Sequence, residues 1–221
     1  MNQAIDNSIQ LHGNPINSNK KSVLFVKQWI QAFFDELQLY SINNADGEPW
    51  RKYAERPMVG LLATGLTRSD KRGEISVLHE FGVYDRAKPK KQNFLGRCDL
   101  FISKDNCYYL AEFKYTSSRG GKNHFNDSSR SDFISKIHSQ CARYLEAEKE
   151  DYDEGKVYLV CMVFNRISFK EKSKFDLYLK NAKSYTPTMK DSLFCYITSK
   201  MDRNIGDHYS ALEVYGSVFE K

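Results

Sequence analysis

The chain contains 221 residues, of which 41% are hydrophobic, and its 33 Lys and Arg against 28 Asp and Glu give a formal net charge of +5. This length suits one domain with a full core, and the apolar content excludes a wholly disordered chain. No apolar run reaches the roughly 20 residues that a bilayer span needs, and residues 1–21 lack the apolar stretch of a signal peptide. We therefore expect a cytoplasmic protein with no membrane association.

The cysteines do not indicate a metal cluster or a disulfide framework. Five are scattered without a CxxC pair, and each lies in a segment with strand or helix character: Cys98, Cys107, Cys141, Cys161 and Cys195. Buried free thiols are the expected state in a reducing compartment.

The N-terminal part of the chain is helical in pattern. Residues 1–20 are rich in Asn and Ser and are expected to form a flexible arm, and residues 21–221 are expected to form a single domain. From Ser22, a candidate N-cap, apolar residues recur at helical spacing as far as residue 37. Pro57 fits the first turn of a second helix that runs to about residue 66.

The pattern then becomes extended, with a helix between the strands. Short runs rich in β-branched and aromatic residues predict strands, residues 133–145 keep helical period, and the nearly continuous apolar run at 156–167 predicts a central strand. A short helix is expected near 175–182. The predicted strands are 75–84, 97–103, 107–115, 156–167, 193–198 and 214–219. This order indicates an α/β fold with a mixed central sheet flanked by helices.

One hairpin brings charged residues together. Asp105 and Asn106 tolerate the positive φ values of a two-residue turn, so Lys104 would pair with Cys107. In that register Asp99 faces Glu112, and Lys114 lies on the same side of the sheet as Glu112.

Two opposed carboxylates are destabilising unless a cation lies between them. A divalent ion held by two carboxylates and several waters is typical of Mg²⁺, for which Mn²⁺ can substitute. Lys114 would position an attacking water or offset negative charge in the transition state. The alternative is a solvated, salt-bridged surface, but the otherwise apolar character of both hairpin faces favours a metal site.

The segments GRCDLFIS and YYLAEFKY resemble the PD-(D/E)XK nuclease superfamily. Gln140 and Tyr144 resemble the QxxxY motif of its RecB-type and lambda-exonuclease-like branch. The resemblance covers about residues 50–170 and implies a restriction-endonuclease-like core. It departs from the usual motif at Cys98, where proline normally precedes the aspartate.

The resemblance also implies roles for individual residues. Asp99 and Glu112 would be metal ligands, with the backbone carbonyl of Phe113 as a third. Lys114 would be catalytic, and Gln140 and Tyr144 would orient the site or the DNA. A further acidic ligand is expected, for which the sequence offers Glu80 or Glu55.

Two basic loops flank the proposed site in sequence. The residues expected to contact DNA are Arg86, Lys88, Lys90, Lys91 and Arg97 in the first, and Arg119, Lys122 and Arg130 in the second. Such loops suit a phosphate backbone, although solvated hairpin tips would have the same composition.

The sequence therefore predicts a Mg²⁺-dependent nuclease that hydrolyses phosphodiester bonds in DNA and processes DNA ends or branched DNA. Two alternatives stay open: a catalytically silent nucleic-acid-binding module of the same fold, and a nuclease directed at RNA. The sequence also leaves open whether the chain forms a homo-oligomer.

Overall fold

The structure is a computed structural model. It describes residues 20–43, 55–84, 89, 94–119, 125–147, 155–185, 187, 191–201 and 208–220. The expected N-terminal arm lies outside these ranges, apart from Lys20. Within them, none of the helices combines the length and the apolar character that crossing a membrane requires.

Helices and strands alternate along the chain in an α/β arrangement. The helices are α1 (Lys21–Asn43), α2 (Glu55–Ser69), α3 (Asp127–Ala147) and α4 (Lys172–Ser184). The strands are β1 (Ser76–Tyr84), β2 (Phe94–Lys104), β3 (Cys107–Arg119), β4 (Lys156–Phe169), β5 (Ser192–Met201) and β6 (His208–Glu220). The expected α/β class is confirmed, and every predicted helix and strand is present. Their bounds are somewhat wider than predicted, except that β1 begins one residue later than the predicted strand 75–84.

The six strands form one mixed sheet in the order β1-β2-β3-β4-β6-β5. β3 and β4 are parallel, and α3 lies between them in sequence, whereas the other neighbouring pairs are antiparallel. A parallel pair needs a long crossover connection, and α3 supplies it here. This crossover places α3 against the strand that carries Glu112.

Helices cover both faces of the sheet. On one face, α1 and α2 pack with alternate residues of the central strands, such as Ala111, Phe113 and Met162. The intervening residues of the same strands point to the other face, where α3 and α4 pack. Strand β4 is buried along most of its length because both of its faces are covered, as its sequence predicts.

The first turns of α1 and α2 differ in how their backbone N–H groups are accommodated. α1 begins one residue before the predicted cap, so Ser22 lies buried in its first turn, and the backbone N–H groups of Val23 and Leu24 are bonded to Lys20. Pro57 lies in the first turn of α2, as predicted, where its missing N–H costs no helical bond. A Cβ at Gly65 would collide with the backbone carbonyl of Ala32, so this glycine lets α1 and α2 approach closely.

Candidate active site

The hairpin between β2 and β3 has the predicted register. Asp105 and Asn106 form its tip with φ values of 51° and 56°, the left-handed backbone of a tight two-residue turn. The paired residues run from Lys104 opposite Cys107 to Leu100 opposite Ala111. The next positions toward the site are Asp99 and Glu112.

Asp99 bonds across the hairpin with its side chain. The backbone N–H of Phe113 donates to Asp99 Oδ2 at 2.8 Å. The Asp99 carboxylate therefore lies beside the peptide that joins Glu112 to Phe113. That the two carboxylates face each other stays a prediction.

Glu112 is a buried carboxylate held by two donors. Its side chain is only 2% exposed. Lys114 Nζ donates to Glu112 Oε1 at 2.7 Å, and the Gln140 side-chain amide donates to the same oxygen at 2.6 Å. The Lys114 side chain is 35% exposed, so its amine bridges the buried carboxylate and the solvent.

Gln140 and Tyr144 lie one turn apart on α3 and extend this network. The Gln140 amide also donates to the Tyr144 hydroxyl oxygen at 2.8 Å, which uses both of its N–H groups. Burial raises the pKa of Tyr144, and the charge of Glu112 adds to this effect, so the phenol stays protonated at neutral pH.

The Tyr144 hydroxyl in turn contacts the start of β2. A Cβ at Gly96 would lie 2.7 Å from this hydroxyl, and Gly96 has a φ of 143°, so both space and backbone conformation favour glycine. Asp99, Glu112, Lys114, Gln140 and Tyr144 are thus brought together by two strands and one helix.

The candidate third acids occupy different positions. Glu80 has a φ of 51° and interrupts the pairing of β1 with β2, which resumes at Phe81 opposite Cys98. Its carboxylate pairs with Arg97 at 2.9 Å and with Arg56 at 3.3 Å. Glu55 is the first residue of α2, and its side chain lies outside the described part of the structure.

The donor set is compatible with a hard cation, although it is small. Among the described residues, no group of three or more His, Cys, Asp or Glu side chains is placed to hold a metal ion. The carboxylates of Asp99 and Glu112 are the oxygen ligands that Mg²⁺ prefers, and Mg²⁺ commonly retains several waters beside one or two carboxylates. These two residues, with the Phe113 carbonyl, could hold such an ion.

The residues predicted to contact DNA separate into three groups. Arg97 and Arg119 are exposed, on β2 and at the end of β3. Arg130 is only 7% exposed and is therefore not available to a phosphate backbone, which corrects the prediction for this residue. The others lie outside the described residues: Arg86, Lys88, Lys90, Lys91 and Lys122.

Arg130 instead belongs to a buried polar cluster. Its guanidinium pairs with Glu213 at 3.1 Å, and Asn165 donates to the same carboxylate at 3.0 Å. Asn165 accepts a bond from Thr116, two residues beyond Lys114. Four aromatic rings surround the guanidinium at 4.6 to 5.3 Å from their centroids: Phe125, Tyr185, Phe194 and Tyr215.

Sequence reasoning missed this cluster, although Glu213 carries a signal. It is an acid between the apolar residues Leu212 and Val214 in the middle of its strand, and it is fully buried. Burial raises its pKa, while Arg130 and Asn165 oppose that shift.

Comparison with known proteins identifies no relative: no family model, curated protein or solved structure matches this chain.

Proposed function

We propose that this protein is a Mg²⁺-dependent nuclease that hydrolyses phosphodiester bonds in DNA, built on a restriction-endonuclease-like core. The observation that carries the proposal is the convergence of Asp99, Glu112 and Lys114 with the amide of Gln140. Two carboxylates and an amine in one partly open site have the chemistry that phosphodiester hydrolysis requires. The five free cysteines favour a reducing compartment such as the cytoplasm.

Each residue has a role in this proposal. Asp99 and Glu112 would hold the Mg²⁺ ion, which supplies positive charge to the phosphate and makes water easier to deprotonate. The oxygen of a water molecule attacks phosphorus and its proton passes to the solvent, while the bond from phosphorus to the leaving oxygen breaks and that oxygen takes up a proton from the solvent. Lys114 stabilises the negative charge that develops on the phosphate, and Gln140 holds the Glu112 carboxylate in position.

The Lys114 amine is suited to this role because it is only partly buried. In the structure it neutralises Glu112, which would otherwise be a costly buried charge. With a cation held at the two carboxylates, the Lys114 amine would turn toward the phosphate. DNA ends and branched DNA are the proposed substrates.

The test is Mg²⁺-dependent cleavage of linear, nicked, branched and single-stranded DNA by the wild type and the Lys114→Ala variant. The variant should cleave about a hundredfold more slowly or worse, as expected when a charge-stabilising or proton-transferring group is removed. Lys136→Ala is the matched control, because Lys136 is exposed on α3 and should be dispensable.

Three results would contradict the proposal. Equal activity of the wild type and the Lys114→Ala variant would refute the proposed role of Lys114 in hydrolysis. Cleavage of RNA but not DNA would indicate the RNA-directed alternative. Binding without cleavage of any substrate would indicate the silent nucleic-acid-binding module.

A further inference from the structure

Two aromatic rings are exposed where the β1–β2 hairpin leaves the described part of the sheet. Tyr84 ends β1, Phe94 begins β2, and they are paired across the hairpin. Their ring centroids are 5.4 Å apart with an interplanar angle of 56°. Tyr84 is 48% exposed and Phe94 is 54% exposed. We call these two residues the aromatic pair.

The aromatic pair stands out among the exposed apolar side chains. In the part of the chain that the structure describes, six large apolar side chains are exposed, and the other four are leucines. A register shift between Val83 and Tyr84 interrupts the ladder beside the pair. Such irregularities commonly redirect a side chain, here at the outer end of an edge hairpin.

Positive charge accompanies the aromatic pair. The nine residues that join its two members, 85–93, include Arg86, Lys88, Lys90 and Lys91 against one acid, Asp85. Two further arginines lie on the described elements nearby: Arg97, 60% exposed, and Arg56, 80% exposed, both at the carboxylate of Glu80. Aromatic rings beside clustered cations are the chemistry by which proteins bind single-stranded nucleic acid, with rings stacking on bases and cations on phosphates.

The aromatic pair is also linked to the candidate active site. Gly96, two residues after Phe94, contacts the Tyr144 hydroxyl. Tyr144 is bonded to Gln140, which is bonded to Glu112.

We propose that the aromatic pair is a stacking surface for the unpaired bases of a single-stranded DNA segment. The inference rests on the proposed function for its choice of DNA. Unpaired bases are the favoured ligand because the faces of bases in a duplex are already stacked on their neighbours, whereas a single strand offers free faces to the rings.

The test measures binding without cleavage. A fluorescent single-stranded oligodeoxynucleotide containing 2-aminopurine is titrated with protein in EDTA, and anisotropy and 2-aminopurine emission are recorded. The double variant Tyr84→Ala/Phe94→Ala should bind at least about fivefold more weakly than the wild type. It should also lose the emission change that base stacking causes.

Two controls keep the test decisive. Leu78→Ala removes another exposed apolar side chain from β1 and should leave the affinity unchanged. Tyr84→Leu/Phe94→Leu keeps apolar bulk at the hairpin and so controls for a folding defect in the alanine variant. It should lose affinity in the same way, because leucine has no ring to stack.

The inference is overturned if both double variants bind the strand as the wild type does, if Leu78→Ala weakens binding equally, or if the wild type prefers a matched duplex or an RNA strand. Because EDTA excludes metal-dependent cleavage, these outcomes do not depend on the nuclease assay. A protein that cleaves DNA but binds single strands independently of the aromatic pair would refute this inference alone.

Discussion

Individual buried charges in this protein are compensated by specific partners. Glu112 is covered by one amine and one amide, and Glu213 by a guanidinium and an amide. Removing a carboxylate from water is costly unless charge and hydrogen bonds are replaced. The two sites differ in access, because Lys114 reaches solvent while Arg130 is enclosed by rings. This difference supports the proposed catalytic role of Glu112 and a structural role for Glu213.

The buried pair gives a prediction about stability. Arg130→Met should lower the free energy of unfolding by about 3–5 kcal/mol, because it leaves the Glu213 carboxylate buried without its cation. The measurement is urea denaturation followed by circular dichroism. Arg130→Met/Glu213→Leu should recover a large part of the loss, and a single variant as stable as the wild type would refute the structural role.

The burial of Arg130 and its pairing with Glu213 could not be predicted from the sequence. Its position in a basic, Gly- and Ser-rich stretch suggests an exposed residue. Its partner is 83 residues away in sequence, on a strand that does not neighbour α3 along the chain. A long-range partner leaves no local signal, whereas the i, i+4 spacing of Gln140 and Tyr144 places both residues on one helical face and could be read directly.

At the scale of elements, the β2–β3 hairpin determines the site. Its two-residue tip sets the register, and the register sets which side chains meet. The sequence was sufficient to predict this register because Asp and Asn tolerate the left-handed backbone of the turn, and because the side chains of the flanking strands alternate between the two faces of the sheet. Beyond Leu100 the backbone pairing of β2 with β3 ends, and the backbone N–H of Phe113 donates instead to the Asp99 side chain. Strand periodicity does not predict this side-chain bond.

The tip of the hairpin can be tested by substitution. Asn106→Gly should stabilise the protein by about 0.5–1 kcal/mol, because glycine adopts the positive φ of this position without the penalty of a side chain. Asn106→Val should destabilise it, since a β-branched residue is strained there. Thermal unfolding measures both, and the order glycine, asparagine, valine is expected. A valine variant as stable as the glycine variant would contradict the described turn.

The β1–β2 pair departs from simple alternation. Leu100 and Cys98 are two residues apart and would share a face in a regular strand, yet Leu100 packs in the α1–α2 layer and Cys98 in the α3 layer. The change coincides with the positive φ of Glu80 and the interrupted pairing beside Asp99. Period-two reasoning cannot locate such a change, because no glycine marks the position.

For the molecule as a whole, helices on both faces of the sheet enclose most of the thiols. Cys98, Cys141, Cys161 and Cys195 are buried, and only Cys107 is partly exposed. Burial raises the pKa of Cys98 and Cys195 to about 12. A side-chain hydrogen bond with Cys161, together with burial, raises the pKa of Cys141. The reactive thiolate is therefore scarce at these positions in the folded protein.

The burial of four thiols predicts which cysteines of the folded protein react with thiol reagents. At mildly alkaline pH a thiol reagent such as 5,5′-dithiobis(2-nitrobenzoic acid) should modify one cysteine rapidly, and peptide mapping should identify it as Cys107. The four buried thiols should react only as the protein unfolds, and all five should react in denaturant. Rapid modification of Cys98 or Cys141 in the folded protein would contradict the packing of α3 on the sheet.

The central claim is that Asp99 and Glu112 share a divalent cation. It is tested most directly by crystals of the protein grown with Mn²⁺, measured for anomalous scattering. The account predicts an anomalous peak between the two carboxylates in the wild type that EDTA removes and that is lost in Asp99→Asn. Crystals of the wild type with Mn²⁺ but no peak at these carboxylates, or a peak unchanged in Asp99→Asn, would contradict it.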